Sequence, residues 1–501
     1  MFKKVGKYNN IYENYFLYIL LLVFIGYSLY FFRWFVDDLY IYFRYANNFV
    51  KGKGIVYNAG EYVEGFSSFI WFLILSVFGF MKLSLETSSK VASLIFSVLS
   101  LLVVFKISKE LGLEKWSLFS VILTAFNLPF ILWSISGFEI SFYSLLLLLC
   151  FYEIIIIKKG RFNIPSLILL LTLISLTRPE GFLFSFAFLV AIFFFAKDSR
   201  KYFFYTLSVY LILFIGFLSF RYFYFGELLP NTYYAKLDYG IIGYNEVRIY
   251  RYGVLYVLKF FLRNLQFAVL LLYLIFRIKF RLKEKNIILL LTFIFVQFVF
   301  VVYAGGDWME HFRFVVCVIP FLSLLSTIAL KDLYKRKLSG NIDYKILYVI
   351  GILFLSVNIY FSNIDIVNTE KILWNRVKCV STDLKNIIPS NSLVANGSAG
   401  VIPYYLEDVN FIDVIGLNDK YIAKYGKRDD IWFEKYSTDY VFERNPEWII
   451  LWKRKNGSGE FTTKNTSPAL KYIESDRRFF NFKSFKVYDV LEDTRIELFK
   501  K

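Results

Sequence analysis

A single histidine and three cysteines are all that this 501-residue chain offers of the side chains that dominate zinc sites and disulfide frameworks. Cys150 and Cys317 lie inside apolar runs and only Cys379 in the polar C-terminal part, so neither a disulfide-stapled scaffold nor a structural zinc site can be assembled. Acidic residues are also few, 40 Asp and Glu against 58 Lys and Arg, for a net charge of +18. The basic excess falls in short clusters between apolar runs instead of one patch, which argues against nucleic acid as a partner. Internal repeats and low-complexity tracts are lacking too.

Apolar side chains are what the chain has in excess. Hydrophobic residues make up 57% of it and aromatic residues 21%, and the mean hydropathy of +0.51 lies outside the range of soluble domains. Runs such as Tyr15 to Phe32, Val91 to Phe105, Gly181 to Ala196, Asn286 to Ala304 and Ile346 to Phe361 are long enough, or nearly so, to cross ~30 Å of hydrocarbon as helices. The first run follows Lys3, Lys4 and Lys7 but is long and lacks a small-residue cleavage site, so an uncleaved first span is expected. The expected fold class is a polytopic α-helical membrane protein.

Charge placement gives an orientation. Stretches 1–13, 106–115, 153–163, 197–201, 277–285 and 331–345 hold 22 basic against 8 acidic residues, the bias of cytoplasmic loops. The alternate stretches, 33–90, 136–139, 178–180, 220–263 and 305–313, hold 14 against 12, and 363–501 holds 22 against 20. This sidedness requires that one apolar run does not cross, and Phe69 to Phe80, short and interrupted by Gly79, is expected to be a re-entrant or surface helix. About eleven transmembrane helices then remain, an odd number that places the N-terminus in the cytoplasm and the C-terminal segment outside the cytoplasmic membrane.

Two domains are expected. Residues 1–362 form a transmembrane domain with long outer loops at 33–68 and 221–263. The second loop ends in an amphipathic interfacial helix, because Val254, Leu255, Val257, Leu258, Phe261 and Leu262 alternate with Arg251, Lys259 and Arg263. Residues 363–501 are soluble in composition. Strand-like stretches at 392–395, 410–415, 448–452 and 485–491, with short helical patterns at 401–406 and 419–425, predict an extracytoplasmic α/β domain.

The first outer loop places two adjacent carboxylates, Asp37 and Asp38, just after the first span. Desolvation at the interface raises a carboxylate pKa towards neutrality while a nearby guanidinium such as Arg44 lowers it, which is how a general base is tuned. Asp37 is the expected base and Asp38 its partner. Four further outer segments carry polar groups: Trp133 to Glu139, Thr177 to Gly181, Pro230 to Lys236 and Gly305 to Met309, the last followed by His311 and Arg313.

Taken in order with the loop Trp34 to Tyr40, these segments resemble the GT-C superfamily of polyprenyl-phosphate-sugar glycosyltransferases, and are most similar to its bacterial arabinofuranosyltransferase-like branch. The resemblance covers most of residues 30–330, and Ala395 to Gly400 and Asp413 to Leu417 are similar to the outer domain of that family. It implies a GT-C-like fold and inverting transfer of a sugar from a polyprenyl-phosphate donor to a glycan, lipid or protein acceptor.

A departing lipid phosphate needs fixed positive charge, for which Arg178, Lys236 and Arg313 are the candidates, Arg178 and Lys236 being equally readable as interfacial anchors. His311 hydrogen-bonds the phosphate or simply sits at the interface. Substrate contacts are expected from Arg44, Glu139, Asn231 and Asp307, with Tyr233, Tyr234 and Trp308 stacking on sugar faces. Glu139 and Asp307 hold acceptor hydroxyls or join Asp37 and Asp38 around a divalent cation. A transporter or flippase of lipid-linked sugars, and a glycan-binding receptor, are the alternative readings.

Overall fold

The computed structural model describes residues 2–157, 163–195, 200–236, 244–268, 285–335, 364–428 and 434–501, together with Tyr273 and Gly351. Six of its helices are long and apolar enough to cross a membrane: Glu13–Tyr30, Leu85–Glu110, Ile140–Ile157, Tyr202–Phe225, Lys285–Tyr303 and Arg313–Leu333. A bent pair, Glu114–Ala125 and Leu128–Ser134, adds a seventh candidate, broken by 69°. The break has a local cause: Pro129 opens the second helix and cannot donate to the first, and the Asn127 side chain donates instead to Asn264 Oδ1 at 2.7 Å. Two shorter apolar helices, Ile164–Thr177 and Gly181–Phe194, form a hairpin. The apolar run Ile346 to Phe361, needed for the expected count of about eleven, lies outside the described residues.

The run expected not to cross is a helix over Phe69–Phe80, capped at its start by Ser68, whose hydroxyl accepts from the Trp71 amide. Twelve residues give a rod of only ~18 Å, short of a hydrocarbon layer. The amphipathic segment of the second loop is also helical, over Tyr244–Arg263, and leaves Val254, Leu255, Leu258 and Leu262 exposed. Gly253 lets this helix approach Lys285–Tyr303 closely, since a Cβ there would sit 2.6 Å from the Val302 backbone.

The C-terminal region opens with a helix, Ile364–Ile387, whose buried residues Val367, Val377, Val380 and Leu384 recur at helical spacing. Six strands follow in one sheet, with β1 Leu393–Asn396, β2 Asn410–Asp413, β5 Trp448–Lys455, β6 Phe461–Thr462, β7 Lys483–Asp489 and β8 Thr494–Lys500. Their order is β2-β1-β5-β8-β7, with β6 paired to β5. β1 runs parallel to β2 and β5, while β8 runs antiparallel to β5 and β7. A small hairpin of β3 Lys427–Arg428 and β4 Lys435–Tyr436 stands apart. Ala395, Ile412, Ile449, Leu451, Leu470 and Ile473 form the core of this α/β layer.

The chain divides into two compact units. The first holds residues 1–33, 89–214 and 242–364; the second holds 34–88, 215–241 and 365–501. Residues 34–88 and 215–241 fold with the C-terminal region, whose first helix is Ile364–Ile387. The reason is a dense set of polar and aromatic contacts from these loops to the strand and helix ends of the sheet domain.

Candidate functional site

In the second unit, Asp37 is 5% exposed and its carboxylate receives three donors from the loop after β1. Ser398 Oγ and Gly400 N donate to Oδ2 at 2.9 and 3.2 Å, and Val401 N donates to Oδ1 at 2.8 Å. The last two are amides at the start of helix Val401–Tyr405, so Asp37 serves that helix as a cap from a distant part of the chain. Gly400 is required by the approach, because a Cβ there would lie 2.0 Å from the Asp37 carbonyl oxygen. Asn396 shapes the loop, donating to Ser398 O and accepting from Ser398 N.

Burial raises the Asp37 pKa from 3.8 to about 7, against the lowering effect of the Val401 amide and with a further rise from Asp38. A carboxylate offers about four lone-pair sites, so the three donors among the described residues leave one on Oδ1 without a partner. Asp38 is half-buried at the N-cap position of helix Leu39–Val50 and makes no side-chain cap bond.

Arg44 lies deeper and acts as a brace. Its guanidinium donates to the carbonyls of Tyr57 at 2.8 Å, Leu406 at 3.2 Å and Val409 at 2.8 Å, to that of Pro403, and to Asn58 Oδ1 at 3.4 Å. The rings of Tyr57 and Phe411 flank it at 4.7 and 5.1 Å. Five donors therefore meet five protein acceptors, which leaves no group for the substrate contact expected from the sequence.

Asn231 is a second brace, its side-chain amide donating to Gly416 O at 2.9 Å and Leu417 O at 3.0 Å while its backbone amide donates to Glu64 O at 2.8 Å. Glu64 is buried and paired with Arg221, Nε to Oε2 at 2.9 Å, and burial raises its pKa to about 7. The short helix Asn231–Lys236 that starts here presents Tyr233 and Tyr234 half-buried, with Lys424 Nζ 4.8 Å from the Tyr234 ring. Lys236 ends it, exposed, its carbonyl accepting from Arg428.

The first unit gathers the remaining candidates. Arg178, at the tip of the hairpin, donates through Nη1 to Glu139 Oε1 at 2.7 Å and through Nε to Glu180 Oε1. Gly181 permits this tip: its amide donates to Arg178 O, and a Cβ would overlap Ile174 O. Arg178 is therefore buried and ion-paired, not an interfacial anchor, and its Nη2 has no protein partner among the described residues. Arg313 pairs with Asp307, Nε to Oδ2 at 2.8 Å and Nη2 to Oδ1 at 3.0 Å.

Both guanidinium carbons lie within 5.3 Å of the Phe314 ring, and Arg313 also faces Trp133 and Phe138 at 6.0 and 5.9 Å. His311 is buried with φ +68°; its carbonyl accepts from Trp133 Nε1, and burial beside Arg263 lowers its pKa to about 4, so the ring is neutral at pH 7. Trp308 is 65% exposed. Three carboxylates thus surround two guanidiniums, a local charge that does not by itself attract a phosphate, although Arg178 Nη2 keeps donors to offer one.

Among the described residues no group of three or more His, Cys, Asp or Glu side chains has the arrangement of a metal site. At Asp37 the N–H and O–H donors already converge on the carboxylate, an environment built for a negative oxygen and opposed to a cation.

Sequence reasoning placed Ser398 and Gly400 only within a segment similar to the outer domain of the family, and gave no role to Val401, Glu64 or Arg221. The run Gly397-Ser398-Ala399-Gly400 between a strand and a helix was the available signal, for small residues there allow another chain segment to approach the helix start.

Residues 373–498 match the model of a family described as a domain of unknown function (DUF8728). No curated protein matches the chain. Solved structures do. ArnT from Cupriavidus metallidurans, bound to undecaprenyl phosphate, aligns over 95% of this chain and 97% of its own at 10% identity and a TM-score of 0.61. The archaeal oligosaccharyltransferase AglB from Archaeoglobus fulgidus, in complex with an inhibitory peptide and a dolichol-phosphate, aligns over 90% of this chain and 74% of its own at 12% identity and a TM-score of 0.56. The chain therefore has the GT-C-like fold, a polytopic helical membrane part carrying a C-terminal strand-containing domain.

Proposed function

We propose that this protein is a membrane glycosyltransferase that moves a sugar from a polyprenyl-phosphate donor to an acceptor outside the cytoplasmic membrane, with inversion at the anomeric carbon. The observation that carries the reading is the fold, matched along nearly the whole length of ArnT, a protein solved with undecaprenyl phosphate. Asp37 supports it: a buried carboxylate with a pKa near 7 and one open lone pair suits a general base. Asp38 assists by raising that pKa.

In this mechanism Asp37 takes the proton of an acceptor hydroxyl as the oxygen attacks the anomeric carbon. The lipid phosphate departs towards cationic donors, of which Lys236 is exposed and Arg178 Nη2 has no protein partner among the described residues. His311, neutral at pH 7, and Arg313, paired to Asp307, assist only by hydrogen bonding. Glu139 and Asp307 orient the two arginines, while Tyr233, Tyr234 and Trp308 supply faces for sugar rings. Placement in the arabinofuranosyltransferase-like branch, and the outward orientation, belong to this proposal.

The purified chain in nanodiscs, given a panel of polyprenyl-phosphate sugars and oligosaccharide acceptors, is expected to form a glycosidic bond, and Asp37→Asn to lose about 10²- to 10⁴-fold in rate. Transfer at the wild-type rate by a folded Asp37→Asn protein refutes the assignment. Movement of a lipid-linked sugar across liposomes without covalent transfer would instead favour the flippase reading.

A further inference from the structure

Helix Leu39–Val50, residues 79–86 and helix Val401–Tyr405 enclose a cavity of about 360 Å³ within the second unit. Small-molecule sites begin at roughly 300 Å³, so one sugar ring with its hydration fits.

The walls combine aromatic rings with polar ends that the protein leaves open. Tyr404 and Tyr405 meet at 82° with centroids 5.4 Å apart, and Tyr40 packs against Tyr404 at 5.4 Å. Asn47, Lys82, Tyr404 and Tyr405 line the same space, and their side-chain polar groups have no hydrogen-bond or ion partner among the described residues. Glu86 differs: Tyr40 donates to it at 2.7 Å and Lys378 Nζ sits 2.9 and 2.8 Å from its two oxygens, so its charge is balanced.

This set discriminates between ligand classes. An apolar ligand would bury the open polar ends without partners, at a cost for each. A simple anion would meet Glu86, and a simple cation would meet Lys82 and Lys378. A pyranose offers apolar C–H faces to the tyrosines and hydroxyls to the amide, phenols and carboxylate. Beside the mouth, Phe80, Met81 and Leu83 are 58%, 62% and 45% exposed, at the start of the apolar helix Leu85–Glu110. The sugar can therefore belong to a free glycan or to a lipid headgroup.

The cavity is also tied to Asp37. Helix Val401–Tyr405 gives its first amide to that carboxylate and its last residues to the cavity wall, ~5 Å further along the axis. We propose that this cavity is a carbohydrate subsite that holds a neighbouring pyranose unit of the acceptor. Its role in acceptor choice rests on the glycosyltransferase reading, whereas the binding itself does not.

The test uses the full chain in nanodiscs without donor. Saturation-transfer NMR is run with free trisaccharides of glucose, mannose, galactose and N-acetylglucosamine in one arm, and nanodiscs containing a glycosyl diacylglycerol in the other. At least one probe is expected to bind, and Asn47→Ala and Tyr405→Ala are expected to weaken it about three- to tenfold each, as loss of one hydrogen bond or one stacking face implies. Binding in one arm only identifies the source of the sugar. Failure of every probe, or equal binding by wild type and both cavity variants, overturns the proposal. Intact binding with no transfer from any polyprenyl-phosphate donor would preserve the subsite and sink the enzyme assignment.

Discussion

Substitution of Arg44 by lysine separates a structural brace from a substrate contact. The guanidinium serves four carbonyls and one side-chain oxygen at once, through five N–H groups spread over three nitrogens. An ammonium gathers three N–H groups on one atom, so it can satisfy two or three of those acceptors and must leave at least two behind in a buried setting. Each stranded acceptor costs ~1–3 kcal/mol, and the lost contact with the Tyr57 and Phe411 rings adds roughly 0.5–1 kcal/mol. A destabilisation of about 4 kcal/mol follows. For a folding unit of roughly 150–250 residues that lowers Tm by about 8–16 °C.

Thermal unfolding in nanodiscs, followed by tryptophan fluorescence, reads this shift directly, because Trp34, Trp448 and Trp452 all lie in the second unit. Transfer measured well below the lowered Tm is expected to stay within about twofold of wild type. The reasoning fails if Arg44→Lys melts with the parent protein yet loses transfer, since the side chain would then be reading substrate.

Much of this architecture was legible because the bilayer and the strand impose simple periods on a sequence. The short apolar run Phe69 to Phe80 was visible by its length, and a helix is observed at those bounds. Strands β1, β2, β5 and β7 were visible as short apolar or β-branched stretches. β8 escaped although Thr494, Ile496 and Leu498 alternate, since Arg495 and Glu497 gave it the look of a charged tail. The long helix Ile364–Ile387 was hidden by a low apolar content. What no period reveals is contact between distant segments. Arg44 and Asn231 read as substrate groups because conspicuous polar residues in outer loops usually meet solvent, whereas here the solvent's place is taken by carbonyls of residues more than 180 positions away. The pairing of Arg178 and Arg313 with carboxylates was equally out of reach, since sequence shows charges and not their distances.

Four further outcomes are expected. Gly400→Ala should cost several kcal/mol and deplete folded protein in the membrane, because its Cβ would overlap the Asp37 backbone; a normal melting curve would contradict the close approach. Asp307→Asn, which strands the buried Arg313 charge, should destabilise by ~3–5 kcal/mol, and a second change, Arg313→Met, should recover most of it in a double-mutant cycle. Ser398→Ala removes a donor that favours the charged form of Asp37, so the acidic limb of the pH–rate profile should move to higher pH. The last expectation is a pH dependence of folding. The Asp37 pKa rises from 3.8 to about 7 in the folded chain, so between those values the native state holds a proton that the unfolded state has released. Its stabilisation is complete below the unfolded value and is lost as pH climbs through the folded one, a change of roughly 4 kcal/mol at most by the difference in pKa. Glu64, raised to about 7, and Asp413, raised to about 6, act with the same sign. Wild type should therefore melt higher at pH 5 than at pH 7.5, and Asp37→Asn, which cannot take up the proton, should show a visibly shallower dependence. Identical slopes for the two proteins would mean that Asp37 is ionised throughout this range, and a carboxylate that does not titrate there could not be the base that limits transfer near neutral pH.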